Sequence, residues 1–180
     1  MGCALSRPDL EGYLKRKPPL VEGLLDPDIQ VGPNGIDLSL RDVQRIEGRG
    51  MLGFASSDRR IPLTSEVRWG SGPLCLTQGF YKITYNEIIH MPLNLVAIAR
   101  PRSSLLRCGA TVETAVWDSG YNGRSESLLV VHNPSGLGLL PNARVVQLVF
   151  FVNTKRLKRK EGYSGIYDRE NISPREESMK

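Results

Sequence analysis

The chain has 180 residues, 40% hydrophobic and 24% charged, with a net charge of +5. A chain this long buries about 70% of its unfolded surface in one domain, so it needs no disulfide or metal staple. No apolar run approaches the roughly 20 residues of a membrane helix, no secretory signal is visible, and Cys3, Cys75 and Cys108, odd in number with no CxxC, read as free thiols of a cytoplasmic protein.

The first element expected is a short helix over residues 6–17. Ser6 caps it, Pro8 suits the first turn, and Asp9 and Glu11 suit the positive end of the helix dipole. Leu10 and Leu14 form its apolar stripe, and Pro18-Pro19 ends it. Short apolar runs then alternate with Gly, Pro, Asn and Asp, which predicts strands over residues 36–40, 43–46, 79–84, 95–100, 110–116, 127–131 and 144–152. Many short strands with little helical periodicity mean an all-β sandwich or barrel. A charged tail over 155–180 reads as a mobile arm.

Basic balance alone admits a nucleic-acid or membrane-surface module, the non-enzyme alternative. The densest cluster, Lys155 to Lys160, lacks the interleaved aromatics of a single-strand binder, and an anionic small substrate explains the charge equally well. Met1-Gly2-Cys3-Ala4-Leu5-Ser6 matches a myristoylation pattern, which is short enough to arise by chance. The expectation is therefore no nucleic acid and no membrane.

Four segments carry chemistry. In Gly35-Ile36-Asp37-Leu38-Ser39-Leu40, an Asp inside an apolar strand must be paired or hydrated; it is either catalytic or satisfied by turn amides. In Pro101-Arg102-Ser103-Ser104-Leu105-Leu106-Arg107-Cys108-Gly109, a strand runs into a short helix with serines at its start. Free amides and Arg102 there suit an anion, although serine at a helix start is also an ordinary cap. In Ala115-Val116-Trp117-Asp118-Ser119-Gly120-Tyr121-Asn122-Gly123, Asp118 is either a general base or a turn aspartate. In Ala143-Arg144-Val145-Val146-Gln147-Leu148-Val149-Phe150, Gln147 interrupts an apolar strand and needs a backbone or ligand partner.

Together and in this order, GIDLSL, PRSSLLRCG, AVWDSGYNG and ARVVQLVF resemble the dUTPase/dCTP deaminase superfamily. The beginning, ALSRPDLEGYLK with IQVGPNGIDL, and the tail EGYSGIYDRENI resemble its deaminase-like and archaeal dUTPase branch, so the likeness spans residues 5–172. It implies a distorted jelly-roll or β-barrel (β-clip) domain over 1–160 with a short helix after the PRSS string, and an arm over 161–180 that closes over phosphates. It implies dUTP as substrate, Mg2+ as cofactor, and a homotrimer with sites between subunits. Asp118 would activate water. Arg102, Ser103, Ser104, Arg107 and Gln147 would bind substrate, Tyr163 and Gly165 would close the arm, and Asp37 would reach the metal through water. Tyr121 would pack on the deoxyribose and exclude a 2′-hydroxyl. Backbone groups around residues 111–121 would read uracil at N3 and O4.

Hydrolysis and deamination share this fold. The deaminases resembled carry a Glu three residues before an Asn in the strand after the turn; counting back from Asn133 gives Val130, which relays no proton. The stretch Gly123-Arg124-Ser125-Glu126-Ser127 looks two residues longer than the family pattern, which leaves Glu126 as a displaced substitute. The zinc-deaminase HxE and PCxxC strings are absent, and His90 and His132 read as structural or surface residues. The expectation is hydrolysis of dUTP to dUMP and pyrophosphate; the alternative is a dCTP deaminase or a bifunctional deaminase-dUTPase.

Overall fold

The computed structural model describes residues 4–172. Helix α1 (Arg7–Leu14), strand β1 (Val21–Glu22) and helix α2 (Pro27–Gln30) precede the long strand β2 (Ile36–Glu47). Strands β3 (Leu63–Glu66), β4 (Leu74–Leu76), β5 (Gly79–Tyr85), β6 (Ile88–His90) and β7 (Leu95–Pro101) follow, and β7 runs into helix α3 (Ser103–Arg107). The chain continues through β8 (Ala110–Glu113), β9 (Asn122–Gly123), β10 (Glu126–Val131), β11 (Leu137–Leu139) and β12 (Arg144–Val152).

The main sheet has the order β7-β12-β2-β5-β10-β8, with β3 pairing on β2, and every pairing is antiparallel. β2 pairs with β12 through Ile36 to Ser39 and with β5 through Leu40 to Arg45, and the register shifts between Leu40 and Asp42. A second shift falls between Arg144 and Val146 of β12. Such bulges bend and twist a sheet, and here they curl it toward a barrel. α3 joins the two end strands, β7 and β8. A backbone pair between Ala97 and Trp117 then brings the chain back to β7, at 2.9 and 3.0 Å. The result is the nearly closed barrel that the sequence implies.

Alternation along the strands fills the barrel. Ile36, Leu38 and Leu40 of β2, Tyr81, Ile83 and Tyr85 of β5, and Leu148 and Phe150 of β12 are all buried. Leu10 of α1 belongs to the same core. Ser6 donates from both its amide and its hydroxyl to Asp9, so the helix starts where the sequence places it. It ends earlier, at Leu14.

Three expectations need correction. Residues 36–40 and 43–46 are one strand that bends without breaking. β8 stops at Glu113 because residues 114–116 leave the sheet before Trp117 pairs with Ala97. β1, β4, β6, β9 and β11 have only two or three residues each, too few to leave a period in the sequence. Residues 1–3 of the myristoylation pattern and residues 173–180 of the arm lie outside the described residues. No helix among the described residues is long and apolar enough to cross a membrane.

One buried polar cluster fixes the start of β2. Glu87, fully buried after β5, accepts from Gln30 Nε2 at 2.6 Å, Ser39 Oγ at 2.6 Å and Ser39 N at 2.9 Å. Gln30 also donates to the Asp37 carbonyl at 2.9 Å. Burial pushes the Glu87 carboxyl above its ordinary range, and the bonds from Ser39 and Gln30 pull it back. Glu87→Ala strands these donors, at about 1–3 kcal/mol for each one left unsatisfied. Urea unfolding should show a clear loss of stability. A variant within about 0.5 kcal/mol of wild type, the range of ordinary surface substitutions, would mean that water or repacking replaces the carboxylate.

Candidate active site

Asp118 lies on the lip between two hollows. The larger, about 660 Å³, is lined by Lys82, Ala115, Val116, Trp117, Asp118, Tyr121, Glu126, Tyr163 and Glu170, among others. The other, about 610 Å³, includes Asp118, Ser119, Lys155, Gly162 and Tyr163. The first has the volume of a small-molecule pocket, with apolar walls and few polar groups.

The neighbours of Asp118 are tied down while its own side chain is exposed. Trp117 is held by its backbone pair with Ala97. Ser119 Oγ donates to the Leu95 carbonyl at 2.6 Å and accepts from Asn153 Nδ2 at 2.8 Å. Gly120 N donates to the Met91 carbonyl at 3.0 Å, and Met91 N returns a bond to Tyr121 at 2.8 Å. Gly120 has a φ of +93°, which favours glycine, and a Cβ there would crowd Tyr163 N at 3.1 Å. A turn locked at every flank presents its carboxylate without having to order it, the arrangement a general base needs.

Tyr121 is buried and forms a wall of the larger hollow. Its ring meets the Tyr163 ring edge-on, with centroids 5.6 Å apart. Burial pushes its hydroxyl far above the ordinary phenol range. A directional chain of bonds sets its orientation. Trp117 Nε1 donates to Ser125 Oγ at 2.6 Å, Ser125 lies 3.1 Å from the Tyr121 hydroxyl, and that hydroxyl donates to Glu170 Oε1 at 2.7 Å. Tyr163 N donates to the Ser119 carbonyl at 2.8 Å, and Gly165 packs directly against the Tyr163 ring, where a Cβ would collide with the hydroxyl.

The phosphate candidates gather elsewhere. Asp37 Oδ2 pairs with Arg102 at 2.8 Å and with Arg144 at 3.0 Å. Burial pushes the Asp37 carboxyl up, and the guanidiniums, Arg102 ahead of Arg144, pull it back. Gln147 lies directly across β2 and β12 from Asp37, with Arg100 on its other side, so the three share one face of the sheet. Gln147 also packs over Gly32 and Gly35; a Cβ on Gly35 would stand 2.9 Å from its Cγ. Ser103 and Ser104 are exposed at the start of α3, which no side chain caps, and Arg107 is exposed in its last turn. None of Arg102, Ser103, Ser104, Arg107 or Gln147 lines either hollow beside Asp118.

Glu126 lines the larger hollow, but its Oε1 is taken by Lys82 Nζ at 2.9 Å and Asn171 Nδ2 at 3.3 Å. Val130 faces Phe80 and Thr111 across its neighbouring strands and is buried. His90 bonds Glu22 at 2.9 Å and His132 is exposed. Sequence reasoning missed Arg144, Ser125, Lys82 and Glu170. Arg144 and Ser125 stand within the strings already singled out. Glu170 is 49 residues from its partner Tyr121, and no spacing rule reaches that far.

Comparison with known proteins identifies the family. A family model described as dCTP deaminase-like matches residues 4–153. A relative from Methanosarcina mazei, named probable deoxyuridine 5'-triphosphate nucleotidohydrolase, is 49% identical over 170 residues, covering 94% of this chain and 98% of its own. One from Methanocaldococcus jannaschii, named deoxyuridine 5'-triphosphate nucleotidohydrolase, is 38% identical over 140 residues, covering 77% of this chain and 86% of its own. A crystal structure of 2'-deoxycytidine 5'-triphosphate deaminase from Agrobacterium tumefaciens superposes with a TM-score of 0.65 at 20% identity, over 89% of this chain. This chain spans 49% of the length of that one, and the likeness speaks to fold. With its barrel, its motif order and these relatives, the chain belongs to the dCTP deaminase-like family.

Proposed function

We propose that this chain hydrolyses dUTP to dUMP and pyrophosphate. The observation that carries the reading is Asp118: an exposed carboxylate on a locked turn, at the lip of a nucleoside-sized hollow. Asp118 takes a proton from water as its oxygen bonds to the α-phosphorus. The bond from that phosphorus to the bridging oxygen breaks, and pyrophosphate leaves with the electron pair. Tyr121 lies against the deoxyribose, and backbone groups of residues 111–121 read the uracil. Tyr163, with Gly165 giving it room, covers the hollow and excludes water. A cytoplasmic location suits the exposed free thiols of Cys75 and Cys108.

Phosphate binding falls to Arg102, Ser103, Ser104, Arg107 and Gln147. Their absence from both hollows beside Asp118 supports a site completed by another copy of the chain, in a homotrimer. Exposed Leu52, Phe54, Leu63 and Phe80 provide apolar surface for such an association. Among the described residues no three His, Cys, Asp or Glu side chains cluster, and Asp37 is committed to two guanidiniums. These donors do not form a protein cage for a cation. They would suit Mg2+ brought in on the triphosphate, with Asp37 the carboxylate that would help hold it through water. Bound there, the ion would neutralise charge on the phosphate oxygens.

Glu126 on the cleft wall favours the alternative, deamination of dCTP. Its commitment to Lys82 and Asn171, with Val130 standing where the deaminase pattern has Glu, weighs against it.

Incubation with dUTP and Mg2+ should yield dUMP and pyrophosphate, EDTA should stop it, and dCTP should stay intact. Asp118→Asn should still bind dUTP but lower kcat by about two to four orders of magnitude. Ammonia released from dCTP at a rate comparable to dUTP hydrolysis would reverse the assignment. Sharing of sites has its own test. Asp118→Asn and Arg102→Ala proteins, each inactive alone, should regain activity when refolded together. Verified mixed trimers that stay inactive would place each site within one copy.

A further inference from the structure

The tail of the described chain does more than lie near the cleft. Arg124 N donates to the Glu170 carbonyl at 2.9 Å and Arg124 Nε to the Asn171 carbonyl at 3.1 Å. Asn171 Nδ2 returns a bond to the Arg124 carbonyl at 3.1 Å, and Arg169 N donates to the Asn122 carbonyl at 2.6 Å. The other arm of the Arg124 fork donates to the Tyr85 and Asn86 carbonyls, at the end of β5. One guanidinium thus fastens the tail to a turn of the barrel. The tail there turns tightly, with Arg169 and Asn171 at φ of 60° and 53°. That conformation is uncommon for a residue such as Arg169, whereas asparagine tolerates it.

The fastened segment places the Glu170 carboxylate in the wall of the cleft. It terminates the chain of donors that runs from Trp117 through Ser125 and Tyr121.

We infer that Arg124 and Asn171 latch the tail onto its own cleft, and that Glu170, so held, is a positioning residue that fixes the Tyr121 ring and thereby the exclusion of a 2′-hydroxyl. The second half rests on the reading above that Tyr121 faces the sugar. A carboxylate or amide oxygen at position 170 can receive the Tyr121 hydroxyl; a methyl group cannot. Arg124 binds carbonyls on two segments with a planar fork, which the single ammonium of lysine does not reproduce.

The latch also responds to pH. Facing Glu170 are Tyr121, Tyr163, Glu126 on β10 and Lys82 on β5. Burial, foremost, and the Glu126 charge push the docked Glu170 carboxyl up; the Tyr121 bond and Lys82 oppose them. A carboxyl raised in the docked state favours docking fully below the ordinary glutamate range. That preference is lost as pH rises through the raised value.

The test uses the full chain, with amide hydrogen exchange over residues 162–172 and the dUTP to UTP ratio of kcat/KM as readouts. Glu170→Ala and Asn171→Ala, which leave the barrel contacts of Arg124 intact, should speed tail exchange about tenfold, the worth of one hydrogen bond. Glu170→Ala should also lower the dUTP to UTP ratio by about the same factor, while Glu170→Gln keeps both near wild type. Arg124→Lys should behave as a loosened tail. Corrected for intrinsic chemistry, wild-type tail exchange should quicken as pH rises above the ordinary glutamate range, and Glu170→Gln should remove that trend. Unchanged tail exchange in Glu170→Ala and Asn171→Ala overturns the latch. A freed tail with an unchanged nucleotide ratio overturns the positioning role. If Tyr121→Ala itself leaves the ratio unchanged, the sugar reading fails, and the exchange data still decide the latch.

Discussion

Everything at the candidate site hangs from one backbone pairing, Trp117 with Ala97. The main sheet ends at β8, and the chain there is free to wander. Instead, two hydrogen bonds return it to β7, at the opposite end of the strand order. That return nearly closes the barrel and fixes the next residue, Asp118, in space. A catalytic carboxylate on an unsupported loop would lose much of its effect, because small misplacements erode proximity catalysis steeply. Here the positional information flows from the most buried strands outward. Ala97 is buried in β7, and β7 is paired along its length with β12.

A second layer of order is polar. Trp117, Ser125 and Tyr121 donate in a single direction toward the accepting carboxylate of Glu170, each hydroxyl giving and accepting once. Such chains polarise their members and fix rotamers that packing alone leaves loose. Just after β5, Glu87 does comparable work with Gln30 and Ser39 and so sets the start of β2, the strand that carries Asp37. The two networks meet at Arg124, which precedes Ser125 and donates to the carbonyl of Asn86, whose side chain donates in turn to Ser39 Oγ.

Much of this was legible in the residues. The strings around Asp37, Arg102, Asp118 and Gln147 told of the family, and the apolar run on either side of Gln147 gave β12 its limits, Arg144–Val152. Helix α1 starts at the Ser6-Asp9 pattern. What stayed hidden shares one physical cause. Two-residue strands such as β1 and β9 exist only because partners far along the chain offer them free edges. The unbroken course of β2 depends on a bulge at Leu40, and a bulge leaves no periodic trace. Asp37 looked like a carboxylate in search of a cation and found two guanidiniums, one of them Arg144, 107 residues away. Glu170 was invisible for the same reason: its meaning comes from Tyr121, and only the fold brings them together.

The Asp37 arrangement has a further physical consequence. Its side chain is 12% exposed, against 27% for Arg102 and 33% for Arg144, and the pairs are 2.8 and 3.0 Å long. Dissolved ions screen charges over about 8 Å at physiological ionic strength, but they act mainly on groups in contact with water. Added salt therefore weakens the approach of a polyanion from solution far more than it disturbs this triad. The guanidiniums keep their spacing and orientation about Asp37 as the surrounding electrolyte changes.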